Sequence, residues 1–219
     1  MFYRLLERYG KAYDIKLINE IMSNPDSMME IIKMVYLPSD EKRKATELNE
    51  LTQSPNYIAA TQLALNILWN IRRTPYVNNK TYEIDESRLN IYVEELRRLG
   101  QQYDREESTN YVIGELLANY PERNDYPPKA ICEIIEKLNN KHTNNGFRSR
   151  IFNKRGVTVR PALEGGTLET AEAAKYKKYA DSIRYTYPLI ANIFDSLSRE
   201  YKDMAIKDEN RTKMEAMEY

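Results

Sequence analysis

The chain has very little of the residue types that most often build active sites and metal sites. Its 219 residues include one cysteine, one histidine and seven glycines. A lone cysteine cannot form a disulfide within the chain, which is typical of a protein kept in a reducing compartment. A structural zinc site needs about four cysteine or histidine ligands, more than the chain has. We therefore predict no disulfide, no metal and no cofactor.

Long apolar runs and a secretion signal are also missing. No stretch approaches the roughly 18 consecutive apolar residues that a membrane-spanning helix requires. Arg4, Glu7 and Arg8 lie where the apolar part of a signal peptide would have to be. The sequence therefore predicts a cytoplasmic protein that makes no membrane contact.

An excess of charge of either sign is absent as well, because 33 lysines and arginines balance 33 aspartates and glutamates. The chain as a whole therefore lacks the basic field that draws proteins to nucleic acids or anionic membranes. Apolar residues recur at helical spacing along most of the sequence, whereas alternation typical of strands is not found. These patterns predict an all-α fold, an irregular bundle of about nine or ten helices that ends in a long helical hairpin.

The same patterns predict three segments. Residues 1–37 form a small N-terminal helical lobe, whose first helix is expected over residues 2–9. Residues 38–56 are charged and polar with little apolar face, which indicates a linker. Residues 55–219 form the main helical domain.

The main domain begins with an apolar helix over 57–73 that includes the only tryptophan, Trp69. Because this helix is the most apolar of the chain, we predict that Trp69 is buried. Pro188 divides the last two helices, which we expect to pack as an antiparallel hairpin.

Catalytic groups are hard to find in this sequence. Cys132 follows the apolar rhythm of a helix and lies ten positions from His142, too far for a nucleophile and its base on one helix. We interpret it as a structural thiol. The adjacent pairs Glu94-Glu95 and Glu106-Glu107 point about 100° apart on a helix, as residues of solvated faces do. No catalytic residue is predicted.

The segment 141–160 differs from the rest because it contains several cations and no acidic residue. Residues 147–166 show no helical period, and we interpret them as a loop with a short extended piece near 157–159. Contact with phosphates and unstacked bases is one interpretation of the loop. The simpler one is that its cations pair with neighbouring glutamates such as Glu133, Glu136 and Glu164. The candidate residues for binding an anion or a partner are Arg148, Arg150, Lys154, Arg155, Arg160, Phe147 and Phe152.

Four stretches carry a resemblance to known proteins. They read IGELLANYP at 113–121, YPPKAICEIIEKL at 126–138, NKRGVTVRPALEGG at 153–166 and LETAEAAKYKKYADSIRYTYPLIANIFDSLSREYKDMA at 168–205. From about Leu51 onward the chain resembles the C-terminal helical region of large, uncharacterised bacterial proteins. It departs from them at Thr167, where a glutamine is expected, and at Leu189-Ile190, where Arg-Thr is usual.

The resemblance implies a helical unit at the end of a longer chain, or beside a partner that supplies the activity. Since the function of that family is unknown, the resemblance contributes no chemistry. The function we expect is a non-enzymatic protein-interaction or scaffolding module of a bacterial intracellular assembly, in defence or regulation. The alternative is a nucleic-acid-binding protein that acts through the basic loop 147–160.

Overall fold

The computed structural model describes residues 15–52, 56–123, 126–156 and 166–217. Over these residues the chain forms ten helices, and its only β-type pairing is an isolated bridge between Val77 and Ile84. The helices are α1 (Ile15–Ser23), α2 (Pro25–Val35), α3 (Glu41–Thr52), α4 (Tyr57–Asn70), α5 (Glu86–Gln102), α6 (Glu106–Ala118), α7 (Lys129–Leu138), α8 (Lys141–Lys154), α9 (Thr167–Ile183) and α10 (Pro188–Met217).

The all-α prediction is therefore confirmed. The helix expected over residues 2–9 and the extended piece near 157–159 lie outside the described residues. Within the described part of the chain, no helix is long and apolar enough to cross a membrane.

The chain divides into two compact units, Met1–Pro121 and Glu122–Tyr219. The predicted division at residues 38–56 instead falls inside the first unit. The reason is the position of α2, which packs against α1, α4, α5 and α6. Because α2 supplies the centre of this unit, it cannot belong to a separate N-terminal lobe.

The predicted linker contains helix α3. Its first turn is capped by Asp40, whose side chain accepts a hydrogen bond of 3.0 Å from the backbone N–H of Arg43. An apolar pattern could not reveal α3, because most of its described side chains are exposed. What holds it is a polar anchor in the neighbouring helix.

That anchor is Arg105, at the start of α6, which is 2% exposed. Its guanidinium donates hydrogen bonds of 2.9 Å to the Tyr36 carbonyl and 2.8 Å to the Tyr103 carbonyl, and it forms an ion pair with Glu47 of α3. Arg105 thus ties together the end of α2, the middle of α3 and the start of α6.

The second unit is built around an aromatic core centred on Phe194 of α10. Its ring lies 5.6 to 6.3 Å, centroid to centroid, from four other rings. These rings belong to Tyr126, Phe147, Tyr176 and Tyr179. Helices α7 and α8 pack against α10, and α9 packs along it.

Helices α9 and α10 form the predicted antiparallel hairpin. The hydroxyl of Ser198 donates a hydrogen bond of 2.8 Å to the Ala173 carbonyl across the pair. At the open end, a Cβ atom added to Gly166 would lie 2.3 Å from the Ala205 carbonyl oxygen. Only glycine lets the two backbones come this close.

Near the turn of the hairpin, four charged side chains form a closed ring. Lys177 lies 3.0 Å from Asp181 and 3.2 Å from Asp195, and Arg184 lies 2.8 Å from Asp181 and 2.6 Å from Asp195. Each cation therefore bridges both carboxylates. Since Asp195 is on α10 and Lys177 and Asp181 are on α9, the ring links the two helices.

Candidate functional site

Most of the predicted basic loop is a helix, and that prediction is wrong for residues 147–154. Helix α7 ends at Asn139, which has a left-handed φ of 42°, and Asn140 then caps α8 by accepting hydrogen bonds from the N–H groups of His142 and Thr143. Asparagines and Gly146 are weak helix formers, so the sequence pattern indicated an end here. Tertiary packing overrides that preference because Phe147 and Ile151 of α8 are buried in the second unit.

Two of the predicted binding cations form ion pairs within the unit. Arg148 pairs with Glu200 of α10 and donates a hydrogen bond of 3.3 Å to the Ser196 hydroxyl. The Arg155 guanidinium lies 2.7 Å from a carboxylate oxygen of Glu169 and 5.4 Å from the centre of the Tyr201 ring. Both charges are therefore compensated by acidic groups of α9 and α10.

Two further cations are withdrawn from solvent. Arg150 is 8% exposed, so its guanidinium faces the interior of the unit. Lys154 is half-buried, and this burial lowers the pKa of its ammonium group to about 8. This shift shows that the folded chain stabilises the charged amine less well than water does. Arg160 lies outside the described residues.

The two phenylalanines of the predicted site serve packing. Phe147 is 1% exposed and its ring centroid lies 6.3 Å from that of Phe194. Phe152 is half-buried, with its ring 5.5 Å from that of Tyr201. Neither ring is placed as an open stacking platform for a base. Among the described candidates, Phe147 and Arg150 thus lie in the core of the second unit. The half-buried candidates are Arg148, Phe152, Lys154 and Arg155.

This geometry favours the interpretation in which the cations pair with glutamates. The observed partners are Glu200 and Glu169, which differ from the three glutamates named in the sequence analysis. Glu136 instead accepts hydrogen bonds of 2.7 and 3.1 Å from the backbone N–H groups of Leu189 and Ile190, at the start of α10. It therefore caps that helix. Glu133 lies 3.4 Å from Lys129, and Glu164 lies outside the described residues.

Cys132 is buried, as predicted for a structural thiol. Burial is also the main cause that raises the pKa of this thiol to about 12. A nucleophilic cysteine needs the opposite shift, because the thiolate is the reactive form.

The surface that sequence reasoning missed is one face of α4 in the first unit. Trp69 is 70% exposed and Ile58 is 83% exposed, so the prediction that Trp69 is buried is wrong. Ala59 and Gln62 are exposed beside them, and Leu65 is half-buried. We call the set Ile58, Gln62, Leu65 and Trp69 the α4 stripe.

The opposite side of α4 explains the error. Ala60, Ala64, Ile67 and Ile71 are buried, and α4 packs against α2. Their spacing equals that of the α4 stripe but is offset by two residues, which corresponds to about 200° around a helix. With apolar residues on two opposite sides, periodicity alone cannot tell which side faces the core. The side with Ala60 and Ala64 faces the core, because these small residues allow α2 to approach closely.

One sequence signal could have pointed to the α4 stripe. Charged residues make up 30% of the chain, yet residues 51–71 contain none. An ordinary solvated helix face carries charges among its exposed residues. Large exposed side chains without charged neighbours on their own helix instead indicate a surface that contacts another molecule.

Comparison with known proteins gave no match to a family model, to a curated protein or to a solved structure. The resemblance to the C-terminal region of large bacterial proteins therefore stays a prediction.

Proposed function

We propose that this chain is a non-enzymatic protein-interaction module that binds a protein through the α4 stripe. The observation that carries the proposal is the 70% exposure of Trp69, the only tryptophan of the chain. Tryptophan is the residue type most enriched among those that dominate the binding energy of protein interfaces. In water, the indole ring of Trp69 and the side chain of Ile58 gain nothing from such exposure.

The chemistry of the stripe favours a protein over other ligands. It offers apolar area and one amide, Gln62, but no charged group. Interface centres are depleted in charged residues and enriched in aromatic ones. A small molecule would instead need a concave pocket that encloses most of its surface, whereas Ile58 and Trp69 project from a convex helix.

The alternative of nucleic-acid binding loses support from the second unit. Arg148 and Arg155 are used in ion pairs with Glu200 and Glu169, so these two cations would have to leave their partners before contacting phosphates. A role in a bacterial intracellular assembly for defence or regulation rests on the sequence resemblance, and we keep it as part of the proposal.

Site-specific photocrosslinking in cells tests the proposal. A benzoylphenylalanine in place of Trp69 or Ile58 should give crosslinked protein, since both positions face the proposed partner. The control position is Tyr185 in the second unit, which is 98% exposed and should give little. Crosslinks that disappear on nuclease treatment would favour the nucleic-acid alternative. Yields at positions 58 and 69 no higher than at 185 would reject the α4 stripe as a binding surface.

A further inference from the structure

We infer that the protein bound by the α4 stripe is a second copy of this chain, with the two α4 helices packed antiparallel. This inference rests on the proposed function, because it uses the same surface. It adds the identity and the geometry of the partner.

The spacing of the stripe is its first support. Its residues are separated by four, three and four positions, so the spacing is the same in both chain directions. A twofold axis placed midway along it brings Trp69 of each copy onto Ile58 of the other, and Gln62 of each onto Leu65 of the other. In a twofold interface the same surface must complement itself, and this stripe does so with its largest side chains paired at both ends.

Charge is the second support. A surface that carries charge of one sign repels its own copy, but no lysine, arginine, aspartate or glutamate occurs from residue 51 to residue 71. Self-association of α4 therefore meets no electrostatic penalty from its own side chains.

Surface area sets the expected strength. A tryptophan buries roughly 150–250 Å² when it is covered, so Trp69, Ile58 and their exposed neighbours offer on the order of 400 Å² per copy. The total of about 800 Å² is smaller than the 1,200–2,000 Å² of standard stable interfaces. We therefore expect a weak, reversible dimer with a dissociation constant of about 1 μM or higher.

Sedimentation velocity from 1 to 500 μM tests the inference directly. The wild type should shift from the mass of one chain to twice that mass. Trp69→Glu and Ile58→Glu should each stay monomeric, because the charge would be placed against an apolar residue. Tyr185→Glu, the matched control in the second unit, should dimerise as the wild type does. Since Trp69 is the only tryptophan, its emission should also shift to shorter wavelength as the wild type associates.

Mixed variants test the antiparallel geometry. Trp69→Glu mixed with Ile58→Lys should recover dimers, because the glutamate meets the lysine at one end while Trp69 meets Ile58 at the other. Trp69→Glu mixed with Trp69→Lys should recover none, since antiparallel packing places each new charge on an isoleucine. Recovery only in the second mixture would overturn the antiparallel arrangement.

The failure of this inference is distinguishable from the failure of the proposed function. A wild type that remains monomeric up to 500 μM overturns the dimer. In that case crosslinks from position 69 to a protein of a different mass would leave the proposed function standing. Absence of crosslinks in cells together with a monomer in solution would reject both.

Discussion

The Arg155 guanidinium lies 2.7 Å from a carboxylate oxygen of Glu169, whose side chain is completely buried. A buried carboxylate is stable in its charged form only when cations or hydrogen-bond donors compensate it. The pair therefore makes Arg155 a structural residue of the second unit, in the segment where the sequence predicted a binding loop.

Replacing one member of this pair should cost much more stability than replacing both. We expect Arg155→Met to lower the free energy of unfolding by about 3 kcal/mol, because it leaves the Glu169 charge buried beside an apolar side chain. The double variant Arg155→Met with Glu169→Gln should recover a large part of that loss. Urea unfolding followed by circular dichroism measures both. Lys202→Met, an exposed cation on α10, is the control and should change stability by less than about 0.5 kcal/mol. Equal losses in the single and double variants would contradict the pairing.

Arg105 should control whether α3 stays attached to the first unit. In Arg105→Met the hydrogen bonds to Tyr36 and Tyr103 and the ion pair with Glu47 are lost. We expect amide protection of residues 41–52 to fall at least about tenfold in hydrogen exchange, while that of α5 changes less. Arg43→Met removes an exposed cation beside the same anchor and should leave protection unchanged. Uniform loss across the whole unit would instead indicate that Arg105 supports the core rather than α3.

Gly166→Ala should destabilise the α9–α10 hairpin. The added methyl group would meet the Ala205 backbone at 2.3 Å, a distance at which one helix has to move. Overpacking of this kind costs about 1–3 kcal/mol, which thermal unfolding of the purified chain can resolve. Lys178→Ala on the exposed side of α9 should behave like the wild type. If Gly166→Ala melts at the temperature of the wild type, the backbones at Gly166 and Ala205 are not in close contact.

Acid should weaken the hairpin through the ring of charges near its turn. Hydrogen bonds from Arg184 are the main cause that lowers the pKa of Asp181 and of Asp195 below the usual value. The folded state thus favours the charged carboxylates, so their contribution to stability is present above pH ~4, the usual aspartate pKa. It is lost as the pH falls through the lowered values. Asp195→Asn should be less stable than the wild type at pH 7, and the two stabilities should converge below pH ~4. A constant difference across this range would contradict the assignment.

Cys132 should react with thiol reagents only when the second unit opens. The thiol is buried, and its pKa is raised to about 12, so both access and thiolate fraction are low in the folded state. Labelling at pH 8 should be at least ~1,000-fold slower in the native protein than in urea. Rapid labelling of the native protein would show that α7 is not stably packed.

Local chemistry made part of the fold predictable. Asp85, a residue type that favours the N-terminal cap of a helix, accepts a hydrogen bond of 3.1 Å from the N–H of Arg88 at the start of α5. Pro188 opens α10 as expected. The apolar residues that recur at helical spacing in α5 are all buried, namely Leu89, Tyr92, Val93, Leu96 and Leu99. Caps and one-sided stripes are encoded within a few residues, so sequence patterns reveal them.

The other features of the fold depend on contacts between residues that are far apart in the sequence, which local patterns do not record. Helix α3 is held by Arg105, 58 positions from Glu47, and no local pattern records such a contact. Helix α8 consists of weak helix formers and is selected by the aromatic core around Phe194. The prediction that Trp69 is buried was wrong because α4 has apolar residues on two opposite sides. The ion pairs of Arg148 and Arg155 could not be predicted from local patterns either, since their partners Glu200 and Glu169 lie on α10 and α9.

The central position of α2 also has a consequence during synthesis on the ribosome. The apolar residues of α2 emerge before α6, the last helix that packs against α2, which ends at Ala118, about 80 residues later. At about 5–20 residues per second, this delay lasts on the order of 4–16 s. Met28, Met29, Ile31 and Ile32 of α2 are only partly covered during that interval, first by α1 and then by α4 and α5 as these helices emerge. We therefore expect the nascent chain to need a chaperone at this stage, whereas α9 can pair with α10 as soon as the hairpin has emerged.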